Sequence, residues 1–336
     1  MRLLIDASGV GYGGLTRLAN ELDTALTASK VPHRTIWRAS SSAKNRSGAG
    51  LDLLRAFVLA FKLRKSYDTM LCLSPSIVAL AWWGKHVIVN YNDLQTFIPG
   101  FEVSASKRAY RYLIYKLLWL NADLVTAISH TTADGLTALF GQKKVVEVIP
   151  LCGELSEGVP PEQALNDRIP EAVNFVIPAH SKHKRAELAL AALASDELSD
   201  ATALLLAGPR LDELTRTCAA LGVEGRVAVL GHLSDSQYRQ TLTRAGTLVM
   251  LSYGEGFGIP VAEALTLGKN VVTSNDPALR ETACGLGFSV DPENRRQLIS
   301  RLVESLNSDE GSDQIIYPLR DRSWHDVAED YLRMCM

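Results

Sequence analysis

Leu248-Val249-Met250-Leu251-Ser252-Tyr253-Gly254-Glu255-Gly256-Phe257-Gly258-Ile259-Pro260-Val261-Ala262-Glu263-Ala264-Leu265 reads as a buried strand, a glycine-rich turn and a helix with Pro260 in its first turn. Gly254, Gly256 and Gly258 let the backbone approach a ligand and expose amides, while the helix turns its positive end toward a negative group. Phosphate or sugar oxygens suit such a place. Glu255 falls in the turn and Glu263 eight positions later, so that both carboxylates can face one crevice and accept paired hydroxyl hydrogen bonds. Taken alone, the pair also reads as a solvated loop residue and a helix-dipole partner.

Around this segment, short apolar runs alternate with stretches of helical period, the pattern of parallel sheets flanked by helices. Strands are expected at 2–7, 33–37, 69–73, 86–90, 124–128 and 145–149, and again at 173–177, 203–207, 227–230, 248–251, 270–273 and 288–290. Between the two series the rhythm lapses through Gly158, Pro160-Pro161 and Pro170. The chain of 336 residues therefore divides into an N-terminal doubly wound domain (1–153), a linker (154–172), a second doubly wound domain (173–320) and a terminal helix (321–336). Ligands of such sheets bind beyond the carboxyl ends of the strands.

A composition 47% hydrophobic and 21% charged excludes disordered, fibrous and membrane-embedded classes. The five cysteines form no Cys-x-x-Cys pair and stand beside no zinc-ligand spacing, so reduced structural thiols and no metal site are expected. Met1 to Asp6 is too short for a signal peptide, and no run reaches the ~20 apolar residues of a spanning helix, which leads to a cytoplasmic expectation. Net charge is only −2, yet there are 18 Lys and Arg against 10 Asp and Glu up to Pro150, and 17 against 27 beyond it. The basic first half suits an anionic partner such as a phospholipid surface, with chance segregation of solvated charge as the alternative. Nucleic acid is not expected, because no recognition module accompanies the charge.

Other candidates follow strands. Gly9 to Gly14 links the first strand to the first helix, where amides can cradle phosphate. A dinucleotide site would want an acidic residue near the end of the second strand, and Ile36-Trp37-Arg38-Ala39-Ser40 has none. His180-Ser181-Lys182-His183-Lys184-Arg185 places cations where the next helix opens, a place suited to a nucleoside diphosphate. Ser104 to Trp119 is basic and aromatic at helical spacing. With Arg55, Lys62, Arg64 and Lys65 it reads equally as a membrane-interface helix or as a core helix with a solvated basic face.

The segment Glu255 to Glu263 resembles the Glu-x7-Glu signature of the retaining GT-B glycosyltransferases of family four. Leu206-Ala207-Gly208-Pro209, Val229 to Ser234, Gly268 to Asn275 and Glu281 follow in that family's order, as do Gly13-Gly14 with Arg17, Asn92-Asp93-Leu94, Ala122-Asp123 with Ser129, Val148-Ile149-Pro150 and Trp324. The resemblance implies two Rossmann-like domains facing a cleft, with the terminal helix returning to the first. It implies metal-independent, cofactor-free transfer of a hexose from a nucleoside diphosphate sugar to a glycan or lipid-linked glycan. By the same resemblance Glu255 and the segment Gly256, Phe257 and Gly258 hold the donor sugar, Glu263 the ribose, and Lys184 with Lys182 or Arg185 the diphosphate. Gly13 and Gly14 count among the donor-binding residues, facing the diphosphate or the acceptor across the cleft, and Asn92 and Asp93 lie on the acceptor side.

Two departures stand out. Pro178-Ala179 replace the Gly and Arg that often precede the lysine, and Asn92 replaces a His; asparagine can bind a hydroxyl but cannot serve as a general base. The overall pattern leans toward GDP-mannose and surface-polysaccharide mannosyltransferases, leaving rhamnose, glucose and galactose donors open. An epimerase or hydrolase of nucleotide sugars and a non-catalytic nucleotide-sugar-binding scaffold are the competing expectations.

Overall fold

The computed structural model describes residues 1–8, 14–37, 49–155, 173–308 and 316–335. It divides into two compact units, residues 1–151 with 323–336, and residues 152–322. Each is built on its own six-stranded sheet, in which every strand pair is parallel.

In the first unit the elements run β1 (Leu3–Ala7), α1 (Gly14–Ala28), β2 (His33–Trp37), α2 (Ala49–Leu63), β3 (Thr69–Cys72), a 3-10 turn (Ile77–Trp82), β4 (His86–Tyr91), α3 (Ala105–Asn121), β5 (Leu124–Ala127), α4 (His130–Phe140) and β6 (Val146–Val148). The strand order is β2-β1-β3-β4-β5-β6, so the chain reverses direction of travel between β1 and β3. β1 and β3 are buried along their whole length, as strands covered on both faces must be, and the edge strand β2 is not.

The second unit runs β7 (Val173–Pro178), α5 (Ala186–Leu193), β8 (Ala203–Leu206), α6 (Leu211–Ala220), β9 (Val227–Leu230), α7 (Asp235–Arg244), β10 (Ala245–Met250), α8 (Ile259–Thr266), β11 (Asn270–Ser274), α9 (Pro277–Ala283), β12 (Phe288–Val290) and α10 (Arg295–Asn307). Its strand order is β12-β11-β10-β7-β8-β9, which puts the reversal between β7 and β10. A doubly wound sheet opens a crevice at that reversal, because the helices on its two sides turn away from each other there.

The last helix, α11 (Trp324–Cys335), belongs to the first unit and packs against α1. It buries Trp324, Val327, Ala328 and Tyr331. The boundary between the units falls after Leu151, two residues before the position expected from the sequence. The reason is close packing within the second unit, where a Cβ on Gly153 would stand 2.3 Å from the carbonyl oxygen of Ala262 in α8. Residues 156–172, most of the expected linker, lie outside the described residues. All five cysteines are free, and all but Cys284 are buried. Burial pushes the thiols of Cys152 and Cys335 up to about 12. No helix among the described residues is long and apolar enough to cross a membrane.

Candidate functional site

The segments after β7 and after β10 meet at the reversal of the second sheet. The chain leaves β7 through Ala179 and makes one 3-10 turn over Lys182–Lys184. Arg185 then adopts a left-handed conformation (φ 50°), and α5 begins only at Ala186. The cations therefore stand just before the helix, in the turn that opens it. A tight left-handed residue separates them from it.

Each cation has a different task. Lys184 is buried, and its Nζ donates to Oε1 of Glu255 at 2.7 Å. Arg185 turns the other way: its Nε donates to the carbonyl of Leu251 at 2.8 Å and its Nη1 to Glu293 at 3.1 Å. Its guanidinium also covers the ring of Tyr253 at 5.4 Å. Arg185 thus braces the end of β10. Lys182 is exposed on the same turn.

Glu255 is nearly closed to solvent, with His183 Nε2 at 3.4 Å from the same oxygen that Lys184 holds. Burial alone would raise its pKa, but the Lys184 ammonium and the His183 ring overcome this and hold the carboxyl far below its ordinary range. The His183 ring is oriented through Nδ1 by Ser181 Oγ at 3.1 Å, and its carbonyl accepts from the Tyr253 amide at 3.1 Å, tying the two loops together. His180, although exposed, is held down at about 4, by loss of water around its ring and by the neighbouring Lys184 and His183. It remains neutral at physiological pH beside Gly208 and His232, at the ends of β8 and β9.

The glycine-rich turn is shaped by two left-handed residues, Gly254 (φ 74°) and Gly258 (φ 95°). The Gly254 amide donates to Asp276 Oδ2 at 2.6 Å, and the other oxygen of that carboxylate caps α9 through the Ala278 amide at 3.0 Å. Gly258 is the N-cap of α8, where a Cβ would stand 2.5 Å from Leu279 Cδ2. Phe257 is buried, and its carbonyl accepts from Thr282 Oγ1. The backbone of 254–258 is therefore anchored on α9 at several points, as a preorganised binding loop requires.

Glu263 is buried in the early turns of α8. The hydroxyl of Tyr238 on α7 donates to its Oε2 at 2.7 Å. Of the residues expected at the site, Lys184 and Glu255 are in direct contact, and Lys182, Arg185 and the 256–258 segment adjoin them. Sequence reading did not single out Tyr238 or Asp276, and took His183 only as a member of the basic cluster. Asp276 carried a signal, since Asp before Pro277 is an N-cap pattern; Tyr238 lies 25 residues from its partner, and no local spacing points to it.

In the first unit, Asn92 and Asp93 follow β4. Asn92 is buried, its Nδ2 donating to Leu73 O at 2.9 Å and its Oδ1 accepting from Asn90 at 2.7 Å. Asn90 in turn accepts from Thr126 Oγ1 at 3.0 Å. Asp93 accepts from the Gln95 amide at 3.1 Å in a turn. At the reversal of this sheet the fully buried Asp6 takes hydrogen bonds from Ser8 Oγ and Ser76 Oγ, both at 2.6 Å. Gly14 opens α1, and Gly13 lies outside the described residues. Among the described residues no group of three or more His, Cys, Asp or Glu could hold a metal ion.

Comparison with known proteins agrees with this geometry. Residues 165–321, just under half of the chain, match the family of glycosyl transferases group 1. The chain is 34% identical over 105 residues to the O-antigen chain mannosyltransferase B of Escherichia coli, covering 31% of this chain and 24% of that protein. It is 27% identical over 132 residues to the GDP-mannose:cellobiosyl-diphosphopolyprenol alpha-mannosyltransferase of Komagataeibacter xylinus, covering 37% of this chain and 33% of that protein. Its matches to curated relatives span between 24% and 53% of their lengths. Among solved structures, it superposes on the Anabaena protein HepE in complex with UDP and glucose with a TM-score of 0.71 at 17% identity, covering 100% of this chain and 99% of that one. The site described above lies within residues 165–321, the segment that matches the family of glycosyl transferases group 1, and the two Rossmann-like units of the chain have the GT-B fold seen in solved glycosyltransferases.

Proposed function

We propose that the chain is a retaining hexosyltransferase that moves a hexose, foremost mannose from GDP-mannose, to a glycan or polyprenyl-linked glycan of a cell-surface polysaccharide. The observation that carries this reading is the Lys184–Glu255 pair, 2.7 Å apart at the reversal of the second sheet, beside the N-terminus of α8. A diphosphate competes well for the ammonium and sugar hydroxyls for the carboxylate, so the pair matches the two ends of a nucleotide sugar.

On this reading Lys184, with Lys182 on the same turn, neutralises the leaving diphosphate. Arg185 supports the loop rather than the phosphate, because its guanidinium already serves Leu251 and Glu293. Glu255 and the 256–258 amides hold the sugar, and Glu263, oriented by Tyr238, holds the ribose. Catalysis comes from positioning and from stabilising the departing charge, with no cofactor and no metal. Asn92 and Asp93 serve the acceptor side. The relatives named for GDP-mannose, a polyprenol-linked acceptor and O-antigen chains support the donor and acceptor chosen. Such an acceptor places the protein in the cytoplasm with its first unit in peripheral contact with an anionic membrane.

A thermal-shift screen against GDP, UDP, dTDP, ADP, their sugar conjugates and NAD tests the reading. GDP and GDP-mannose are expected to raise the midpoint, and the donor so identified is expected to transfer its sugar with retained anomeric configuration. Glu263→Ala is expected to weaken donor binding more than Tyr238→Phe, and Lys184→Ala to slow transfer. A shift with NAD alone overturns the proposal, and consumption of donor without an acceptor assigns the site to an epimerase or hydrolase.

A further inference from the structure

More than half of the large apolar side chains that stand exposed among the described residues lie between positions 54 and 120. They are not scattered within that range. On α2, Leu54 (57% exposed), Val58 and Phe61 (59%) are spaced i, i+4, i+7 and so form one outward stripe. On α3, Tyr110, Leu113 (55%) and Leu120 form a second outward stripe. The 3-10 turn Ile77–Trp82 packs against both helices, and Trp83, 52% exposed, follows it directly. Arg64 near the end of α2 donates to the Trp83 carbonyl, which fixes this corner.

The charge on these helices is predominantly positive. Residues 49–121 hold nine Lys and Arg against four Asp and Glu. α3 has no acidic residue, and the only one in α2, Asp52, is largely withdrawn from solvent and takes Arg55 at 3.4 Å. Lys62 on α2, Lys65 in the turn directly after it, and Lys107 and Lys116 on α3 are all exposed. None of these four lysines pairs with a carboxylate among the described residues. Arg108 and Arg111, by contrast, are folded back onto Thr96 and the loop before α3.

We propose that the outward faces of α2 and α3, with Trp83 between them, form the surface by which the first unit lies on an anionic phospholipid bilayer. Apolar side chains of Leu54, Phe61, Trp83 and Leu113 enter the boundary between headgroups and acyl chains, and the lysines beside them meet lipid phosphates. Exposed apolar stripes of this size are otherwise kept from solvent by a partner. A second copy of this chain is a poor occupant, because a symmetric contact would set the same unpaired lysines against each other. The proposal rests on the peripheral contact put forward above and names the face that makes it.

Sedimentation of the full chain with vesicles tests it, using phosphatidylcholine alone or mixed with phosphatidylglycerol, at low and high salt. No donor or acceptor is present, so the outcome is independent of whether the chain transfers a sugar. Wild type is expected to sediment with the mixed vesicles and to be released by salt. Each of Lys62→Gln and Lys65→Gln is expected to weaken binding about 5-fold. Phe61→Ser with Leu113→Ser is expected to abolish retention at moderate salt, while Leu221→Ser, an exposed leucine of the second unit, leaves it unchanged. All positions are at the surface, and equal thermal midpoints establish that the variants are folded. If wild type binds and the face variants bind as tightly, the contact lies elsewhere and this face is wrong. Failure of wild type to bind the mixed vesicles removes the membrane contact itself. Light scattering that shows a dimer dispersed by the Phe61 and Leu113 changes overturns the proposal in favour of a second copy.

Discussion

Lys184 and Glu255 each lose their water on folding, and neither is comfortable without the other. Removing one partner of such a pair typically costs about 3 kcal/mol, because the remaining charge stays buried, whereas removing both costs much less than twice that. Lys184→Met and Glu255→Gln are therefore expected to be strongly non-additive in urea melts at neutral pH, with the double variant recovering much of the loss. The pair also sets an acid response. The Glu255 carboxyl is depressed in the folded chain, so below its ordinary value the unfolded chain binds a proton that the folded one refuses. Stability from this group is complete at neutral pH and is lost as pH falls through about 4.5 and below. Glu255→Gln lacks that loss, and its stability is expected to decline less steeply than that of wild type between about pH 5 and pH 3. Parallel declines would mean that the pair is not coupled in solution as its geometry indicates.

At the scale of elements, the glycine-rich turn was legible because its residue types leave little choice. Gly258 caps α8 at φ 95° with Leu279 against it, a position where a side chain is both strained and obstructed. Gly258→Ala is expected to destabilise the second unit by roughly 1–3 kcal/mol and to displace the loop that carries Glu255. Chemical denaturation measures the first effect, and loss of the ligand-induced thermal shift measures the second. An unchanged shift would separate the loop from binding. The basic cluster was legible in content but not in arrangement. Its sequence gives no hint that Arg185 takes a left-handed conformation and turns onto Leu251, because that depends on where β10 ends in space. Nor could spacing pair Tyr238 with Glu263, since their contact joins two different helices. The strands were read to within one or two residues except β10, which starts three residues early at Ala245 because Ala245 and Thr247 pair with β7 without forming an apolar run.

For the whole molecule, the alternation of strand and helix disclosed two doubly wound sheets, and strand order followed only from the structure. The order matters because it places the reversal between β7 and β10 and so decides which loops become neighbours. The first unit is discontinuous in sequence: its sheet is complete by Val148, yet α1 is covered by α11 from the far end of the chain. The apolar side of α11 is buried through Val327, Ala328 and Tyr331, with Trp324 at its start. At roughly 1.5–3 kcal/mol for each large side chain, the first unit draws a substantial part of its stability from a helix that follows the whole second unit in sequence. A chain ending at Arg322 is therefore expected to expose the buried side of α1 and to lose protection against hydrogen exchange in α1, β1 and β2. The second unit, which contains none of α11, is expected to keep its own protection and its thermal shift with a nucleoside diphosphate. Even loss of protection across both sheets would show that the two units unfold as one, and the stability of the Lys184–Glu255 site would then depend on α11 as well.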